Sequence, residues 1–338
     1  MKKRRKQYRT TTASRNALLD GPSRKRFGKK QKKKLIIISI LVVIAALGIS
    51  YAVNYHKAQV RATEEEAKKG KIIDISADKQ EVDDDGNVIT TSKTTEIHII
   101  DCGNGNATLV KRGNYEVLID AGGDVTQYLE KNVSGDIEFL VFTNNFEGCI
   151  SGAEDIYNNF NVLRTIYTNP NDEVMALIGD RSAEETDNQV IDMGGNLTVT
   201  VGKGLNKDKA ADRTAIVTIH DNERFFLIAG QASEADVIAN LNNQDNEFYL
   251  LGGNPSANLV SGKIMRGLKP STVIVSTKDK LSADFLTACD KQKADVYATY
   301  KNKTIIYKIT DDNIEPNVDY ENAIRLEDEQ TEEETEDE

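Results

Sequence analysis

The chain has 338 residues, a formal net charge of −11 at neutral pH and three cysteines. This length has room for one large domain or two modest ones plus appendages. An odd, low cysteine count without paired spacing argues against a disulfide framework, and it leaves open whether one disulfide forms among Cys102, Cys149 and Cys289.

Charge is divided unevenly along the chain. Residues 1–34 carry fifteen Lys or Arg and one acid, Asp20, which gives this basic arm a net charge of +14. Since the whole chain sums to −11, the remainder carries −25. A body this acidic repels phosphate backbones, so nonspecific binding of nucleic acid through bulk charge is disfavoured.

An uncharged apolar run at residues 35–53 follows the basic arm. As a helix it spans roughly 28 Å, close to the ~30 Å hydrocarbon core of a bilayer. The run is longer than the apolar region of a cleavable signal peptide, and no clear small-residue cleavage site precedes His56. The abutting Lys-rich and polar segments argue against a buried core helix. We therefore predict one transmembrane signal-anchor helix at residues 35–54.

The positive-inside rule orients this anchor. It leaves residues 1–34 in the cytoplasm, where they contact anionic lipid, and it places the body of the chain outside the cell. The predicted localisation is the cell membrane, with a single pass and an extracellular C-terminal domain.

Two charged segments flank the predicted domain. Residues 55–94 are rich in Lys, Glu and Asp and are predicted to form a stalk or linker, with a small hairpin over 71–90. Residues 317–338 end in a run of Glu and Asp, which predicts an acidic, disordered tail. The domain itself is predicted at residues 95–316.

Strand and helix patterns alternate through this domain. Strands are predicted at residues 96–100, 107–111, 116–119, 138–142, 162–167, 196–201, 214–220, 224–228, 247–251, 271–276, 295–299 and 303–309. Helices are predicted at residues 125–132, 152–160, 172–179, 233–240, 257–266 and 281–290. Strand hairpins followed by β-α alternation occur twice, which indicates two sheets sandwiched between helical layers.

The loop after the strand at 138–142 is the first candidate site. It lies at the C-terminal end of a strand, where α/β proteins usually keep their sites. Its residues from 143 to 152 read T-N-N-F-E-G-C-I-S-G, which is a poor set for chemistry.

Residues 98–108 read H-I-I-D-C-G-N-G-N-A-T. This stretch resembles the opening of the metallo-β-lactamase fold, in particular the domain of ComEC-type DNA-uptake channels, whose signature runs roughly H-x-x-D-V-G-Q-G-D-A. Residues 115–123, Y-E-V-L-I-D-A-G-G, are similar to that family's I-L-I-D-A-G. The loop at 143–152 resembles the family's T-H-x-H-x-D-H-x-x-G.

Three later landmarks follow in the same order. F-F-L-I-A-G-Q at 225–231 is similar to the family's strand ending L-L-T-G-D, and L-L-G-G-N-P-S at 250–256 is similar to L-K-x-x-H-H-G-S. L-K-P-S-T-V-I-V-S at 268–276 resembles L-K-P-x-x-x-I-S. The resemblance covers roughly residues 95–310 and implies an α/β fold, an αββα four-layer metallo-β-lactamase-like sandwich.

The resemblance also implies where metal ligands would stand, and most of the residues there are unsuited to the role. A metal hydrolase of this type needs imidazoles and carboxylates around a Lewis-acidic ion. The positions that the resemblance marks as ligands hold instead Asn144, Phe146, Gly148, Cys149, Gln231, Gly253 and Asn254. Phenylalanine and glycine offer no donor atom, and Gln231 removes the bridging carboxylate.

Histidine is too scarce for a conventional zinc site. The chain has three: His56 beside the predicted membrane span, His98 in a strand and His220, which is predicted at a hairpin turn with an exposed side chain. His98 stands where the family tolerates a residue that is not a ligand, which favours a core role.

A reduced site for a single cation is the remaining metal hypothesis. It would use Asp101, Asp120, Cys149 and Glu147. The two aspartates follow strands beside glycines, where Asx hydrogen bonds to turns are the ordinary role of Asp. Hard cations also want six or more oxygens, so no cofactor is predicted.

The sequence therefore favours a membrane-anchored, externally exposed protein of this fold that has lost catalysis and acts by binding. The binding site would be the former metal cleft, and the partner an envelope protein or a cell-wall polymer. One alternative is a working phosphodiesterase or nuclease of the DNA-uptake type with an unorthodox ligand set. Another is a structural protein whose cleft is packed shut by Phe146.

Overall fold

The computed structural model describes residues 72–74, 94–168, 172–186, 188–202, 214–241 and 245–326. The predicted basic arm, the predicted transmembrane helix, most of the predicted stalk and the end of the predicted tail lie outside these ranges. Within them, no helix is long and apolar enough to cross a membrane.

The described residues form two eight-stranded sheets. The strands are β1 (Ile72–Asp74), β2 (Thr95–Ile99), β3 (Thr108–Arg112), β4 (Tyr115–Ile119), β5 (Ile137–Phe142), β6 (Val162–Tyr167), β7 (Ser182–Glu185), β8 (Gln189–Asp192), β9 (Leu197–Val201), β10 (Val217–Asp221), β11 (Arg224–Gly230), β12 (Phe248–Gly252), β13 (Thr272–Ser276), β14 (Asp295–Ala298), β15 (Ile305–Ile309) and β16 (Ile314–Pro316). The N-terminal sheet has the order β16-β15-β2-β3-β4-β5-β6-β7, and the C-terminal sheet has the order β1-β8-β9-β10-β11-β12-β13-β14.

Short helices connect the strands. They are α1 (Thr126–Asn132), α2 (Glu147–Ile150), α3 (Ala153–Asn159), α4 (Asp172–Ile178), α5 (Glu234–Ala239), α6 (Gly262–Leu268), α7 (Ala283–Asp290) and α8 (Thr299–Asn302). Two single 3₁₀ turns, Ala257–Val260 and Tyr320–Asn322, complete the described elements.

Three apolar clusters define the layers. The central cluster joins the inner faces of both sheets, for example Ile97 and Val141 of one with Val217 of the other. Leu129 belongs to a second cluster between the N-terminal sheet and its helices, and Phe285 to a third on the C-terminal sheet. The expected αββα four-layer sandwich is confirmed.

The direction of the strands determines where the predicted site residues lie. Strands β4 to β7 are parallel in the N-terminal sheet, and strands β11 to β14 are parallel in the C-terminal sheet. Parallel strands present their C-terminal ends at one edge, and β5 is buried along its whole length because layers cover both faces. The loops after β4, β5, β11 and β12 carry the predicted site residues apart from Asp101, which follows β2.

The structure differs from the sequence prediction at element ends and edges. The helix predicted at 257–266 is a 3₁₀ turn followed by α6, because the Ser261 hydroxyl accepts a hydrogen bond from the Ile264 amide and starts a new helix there. The sequence prediction missed the edge strand β7, whose sequence S-A-E-E lacks apolar alternation, and it also missed the short strands β8 and β16.

The packed domain extends beyond both predicted boundaries. β1, within the predicted stalk, pairs with β8. Beyond residue 316, Val318 and Ile324 are buried, and the Ile324 amide donates to the Val296 carbonyl at 2.7 Å. Residues 317–326 therefore belong to the packed domain, so the predicted boundary at residue 316 falls too early.

A buried ion pair connects the sheets. The Arg112 guanidinium on β3 lies 3.9 Å from the Asp221 carboxylate on β10, and both side chains are almost fully buried. Arg112 also donates to the Thr95 hydroxyl at 3.2 Å. Because a buried charge without its partner is costly, removal of either member would leave an uncompensated charge between the sheets.

We expect Asp221→Ala to lower the free energy of unfolding by about 3 kcal/mol or more, because it leaves the Arg112 charge buried and unpaired. Urea denaturation of the purified protein measures this. Asp311→Ala, at an exposed turn residue, serves as the control and should change little. Equal, small effects of both variants would contradict the assigned role of the pair.

Candidate functional site

Asp120 stands directly after β4 and is fully buried, with a positive φ of 59°. Its Oδ1 accepts a hydrogen bond from the Thr143 amide at 2.8 Å, and its Oδ2 accepts one from the Thr143 hydroxyl at 2.7 Å. Asp120 therefore ties the end of β4 to the end of β5. Burial is the main influence on the carboxyl group and raises its pKa to about 7, against hydrogen bonds that lower it.

Cys149 lies next to Asp120 and Thr143 and is also fully buried. Its Sγ is 3.7 Å from the Thr143 hydroxyl and 3.7 Å from the Asn106 amide nitrogen. Burial, and then the Asp120 charge, raise the pKa of the thiol well above its ordinary value. A thiol held protonated is a poor nucleophile and a poor metal ligand, so Cys149 acts as a packed core residue.

Asn106 is a site residue that the sequence analysis missed. Its side chain is buried and reaches from the N-terminal sheet to the ends of β11 and β12. A Cβ built on Gly252 would lie 1.5 Å from Asn106 Oδ1, and one on Gly230 would lie 2.8 Å from Asn106 Nδ2. Its signal was present in the sequence, because Asn106 stands at the acidic position of the resembled G-Q-G-D-A signature.

Asn144 is buried and committed to other contacts. Its Nδ2 donates to the Thr214 hydroxyl at 2.8 Å, and its Oδ1 accepts from the Asn145 amide at 2.7 Å. The neighbouring Thr143 carbonyl accepts from the Ala215 amide. Asn144, at the first position that the resemblance marks as a ligand, therefore joins the loop after β5 to the segment that leads into β10.

Gly148 and Gln231, which stand at two further positions that the resemblance marks as ligands, are in close contact. A Cβ on Gly148 would lie 2.2 Å from Gln231 Nε2, so the amide of Gln231 rests against the Gly148 backbone. That same nitrogen donates to the Asn104 carbonyl at 3.0 Å. Gln231 thus bridges the loop after β11 to the loop after β2, in the space that a side chain at position 148 would need.

The remaining predicted residues lie around this centre without converging. Gly253 adopts φ +67°, and a Cβ there would lie 3.5 Å from Gln231 Nε2. The Asn254 side chain is exposed, and Phe146 is half-buried in the cleft wall. The Asp101 amide donates to the Thr304 hydroxyl, and the Asp101 charge adds to burial in raising the pKa of Cys102 to about 11.

These side chains do not fit a metal ion. Within the described ranges, no three His, Cys, Asp or Glu side chains form a group that could hold one. The Asn144 and Gln231 amides are engaged in protein hydrogen bonds, Cys149 is a buried thiol, and Phe146 offers only a ring. The described side chains of the cleft therefore do not provide a metal site.

The two described histidines lie elsewhere. His98 is buried on β2, where it hydrogen-bonds the Tyr128 hydroxyl at 2.7 Å and the Glu96 carboxylate at 3.0 Å, as expected of a core residue. The prediction for His220 is wrong: it lies within β10, half-buried, and stacks on Phe225 at a ring distance of 4.1 Å. The turn begins after Asp221.

An open cleft of about 520 Å³ lies over this packed centre. Its wall and rim are formed by the loops after β2, β4, β5 and β11, and include Cys102, Asn104, Phe146, Glu147, Ser151 and Gln231. Phe146 does not close it. The fold and the site together define an αββα sandwich with an open, polar cleft at the ends of its parallel strands.

Comparison with solved structures gives low-identity matches. The YhfI protein of Bacillus subtilis, described as a metallo-β-lactamase fold protein, matches with a TM-score of 0.48 and 12% identity over 64% of this chain and 99% of that one. A putative metal-dependent hydrolase from Parabacteroides distasonis gives 0.45 and 11% over 61% and 94%. Igni18, a metallo hydrolase from Ignicoccus hospitalis, gives 0.45 and 12% over 64% and 100%.

No family model and no curated protein matches the chain. The matches to solved structures are similarities of fold.

We expect Gly148→Ala to lower the free energy of unfolding by about 1–3 kcal/mol, because its methyl group displaces the Gln231 amide from the Asn104 carbonyl. The loss should be smaller when Gly148→Ala is introduced into a Gln231→Ala background. Denaturant unfolding of the three variants gives this coupling. Gly135→Ala, where a Cβ meets nothing within 4 Å, is the matched control. Additive effects of the two substitutions would refute this close contact.

Asp120 should make stability depend on pH. The folded carboxyl has a pKa of about 7, whereas an unfolded Asp titrates near 4. Below pH ~4 both forms are protonated, and above it only the unfolded form ionises freely, so stability falls as pH rises to about 7 and is level beyond it. The expected loss is on the order of a few kcal/mol.

Asp120→Asn should abolish this loss, because asparagine tolerates the positive φ and carries no charge. The measurement is the difference between the free energies of unfolding of the wild type and of Asp120→Asn, determined at several pH values from 4 to 8. Asp124→Asn, at an exposed residue in the same loop, is the control. A wild-type-minus-variant difference that stays constant over this range would exclude the buried carboxyl as the cause.

Proposed function

We propose that this protein is a membrane-anchored, externally exposed member of the metallo-β-lactamase fold that acts by binding and has no hydrolase activity. The order of six sequence landmarks, the four-layer sandwich and the position of the cleft support the family. The uncharged run at 35–53 behind a basic arm supports the anchor and its orientation.

One observation supports the proposed loss of catalysis. The Gln231 amide lies against Gly148 and bonds the Asn104 carbonyl, so two former ligand positions hold each other instead of an ion. A hydrolytic metal centre needs donor atoms that converge on a common position and lower the pKa of a bound water. Here the Gln231 amide donates to the Asn104 carbonyl, and the Asn144 amide donates to the Thr214 hydroxyl.

The open cleft favours a binding role over a purely structural one. Protein sites for small ligands are concave and commonly of 300–1,000 Å³, a range that includes this cleft of about 520 Å³. A protein serving only as a stalk has no need of such a concavity. The proposed partners are components of the cell envelope, because the domain would face them outside the membrane.

The hydrolase alternative needs the unorthodox ligands Asp101 and Cys149. Cys149 is buried under Thr143 and Asn106 as a protonated thiol, and Asp120 is engaged by Thr143 through both of its oxygens. Nothing in this geometry activates a water molecule.

We expect the purified full-length protein to contain far less than one zinc or manganese per chain by elemental analysis, and to leave bis(p-nitrophenyl) phosphate intact in the presence of either metal. Stoichiometric metal together with phosphodiesterase activity would overturn the proposal. If activity appeared, Asp101→Ala and Cys149→Ala would decide its origin: loss in either variant would establish the alternative ligand set. Activity unchanged in both would point to a contaminant.

A further inference from the structure

The cleft has a lining of unusual composition for an enzyme site. One aromatic ring, Phe146, forms part of its wall, and no Lys, Arg or His is among its described lining residues. The other side chains are amides, a hydroxyl, a thiol and the single carboxylate of Glu147. This inventory defines which ligand chemistry the cleft can take.

Its polar groups suit a ligand that both donates and accepts hydrogen bonds. Gln231 uses Nε2 for the Asn104 carbonyl, which leaves its Oε1 to accept, since none of the described residues donates to it. The Ser151 hydroxyl accepts from the Gly123 amide at 2.8 Å and keeps its own hydrogen to donate. The exposed Glu147 carboxylate accepts hydrogen bonds from hydroxyl groups.

Charge argues against an anionic ligand. Among the described residues that line the cleft, Glu147 alone is charged, and the chain beyond Lys34 carries −25. A phosphate or nucleic-acid strand would meet no cation there to neutralise it. Quaternary ammonium ligands bind in cages of several aromatic rings, whereas the described lining of this cleft contains one, Phe146.

A peptide is also disfavoured. Extended peptides bind by adding to an open strand edge or by placing side chains in apolar pockets. The cleft is walled by the loops after β2, β4, β5 and β11, so it presents loop backbone instead of a strand edge, and Phe146 is its one large apolar side chain. An uncharged ring with hydroxyl groups at its rim and C–H groups on its face matches these features better.

We propose that the cleft binds a neutral carbohydrate, with the face of a sugar ring on Phe146 and its hydroxyl groups on Gln231, Ser151 and Glu147. This rests on the proposed binding function and specifies its ligand class. The ring supplies C–H···π contact, and the amide, hydroxyl and carboxylate supply directional hydrogen bonds. The packed centre beneath keeps the floor of the cleft fixed, which lowers the entropic cost of binding.

The test is calorimetric titration of the full-length protein in detergent with chitotetraose and with maltotetraose as neutral sugar probes. We expect saturable binding of at least one, weakened about tenfold or more by Phe146→Ala and by Gln231→Ala. Leu163→Ala, which removes an exposed apolar side chain on β6 outside the cleft, should bind as the wild type does. Far-UV circular dichroism confirms that each variant is folded.

Parallel titrations separate failure of this inference from failure of the proposed function. If an oligothymidylate or a tetraalanine peptide binds with sensitivity to Phe146→Ala while both sugars do not, the sugar assignment is overturned and the binding role stands. Sugar binding that Phe146→Ala leaves unchanged also overturns the assignment. If no probe binds, the sugar assignment is overturned, and metal-dependent hydrolysis would overturn the proposed binding function as well.

Discussion

The close approach of backbone segments at the ends of the parallel strands is the constraint on which the rest of the structure depends. Asn106 passes from the N-terminal sheet between Gly230 and Gly252, where a Cβ on Gly252 would lie 1.5 Å from the Asn106 oxygen. The backbone amide of Asn106 donates to the Gly148 carbonyl at 2.7 Å. Since only glycine leaves room for these contacts, the loops of both sheets meet as a single packed floor.

This packing decides the chemistry above it. A metal centre would require charged or imidazole side chains directed at one vacant position, and their mutual repulsion would be relieved by the ion. Here Gln231 rests on Gly148, and Asn144 is bonded to Thr214, so the same positions join loops together. Groups available to a ligand are left in the wall and rim of the cleft, among them Phe146, Glu147 and Ser151.

Much of the fold was predictable because strands carry local patterns of apolar and β-branched residues. The strand at 162–167 was predicted with its observed ends, and the αββα layering followed from hairpins and β-α alternation. Edge strand β7 was missed because an edge needs little apolar alternation. The break at Ser261 was missed because a single capping hydrogen bond outweighs an otherwise continuous helical pattern.

The sequence by itself determined how few metal-binding side chains are at hand: the chain has three histidines, and Phe146 and Gly148 stand at positions that the resemblance marks as ligands. The tertiary structure alone decided which contacts form at the positions that the resemblance marks as ligands. The contacts of Gln231 with Asn104 and of Asn106 with Gly252 join residues more than a hundred positions apart, and the burial that raises the pKa of Asp120 exists only in the folded domain. Such contacts depend on how two sheets pack, which no local pattern encodes.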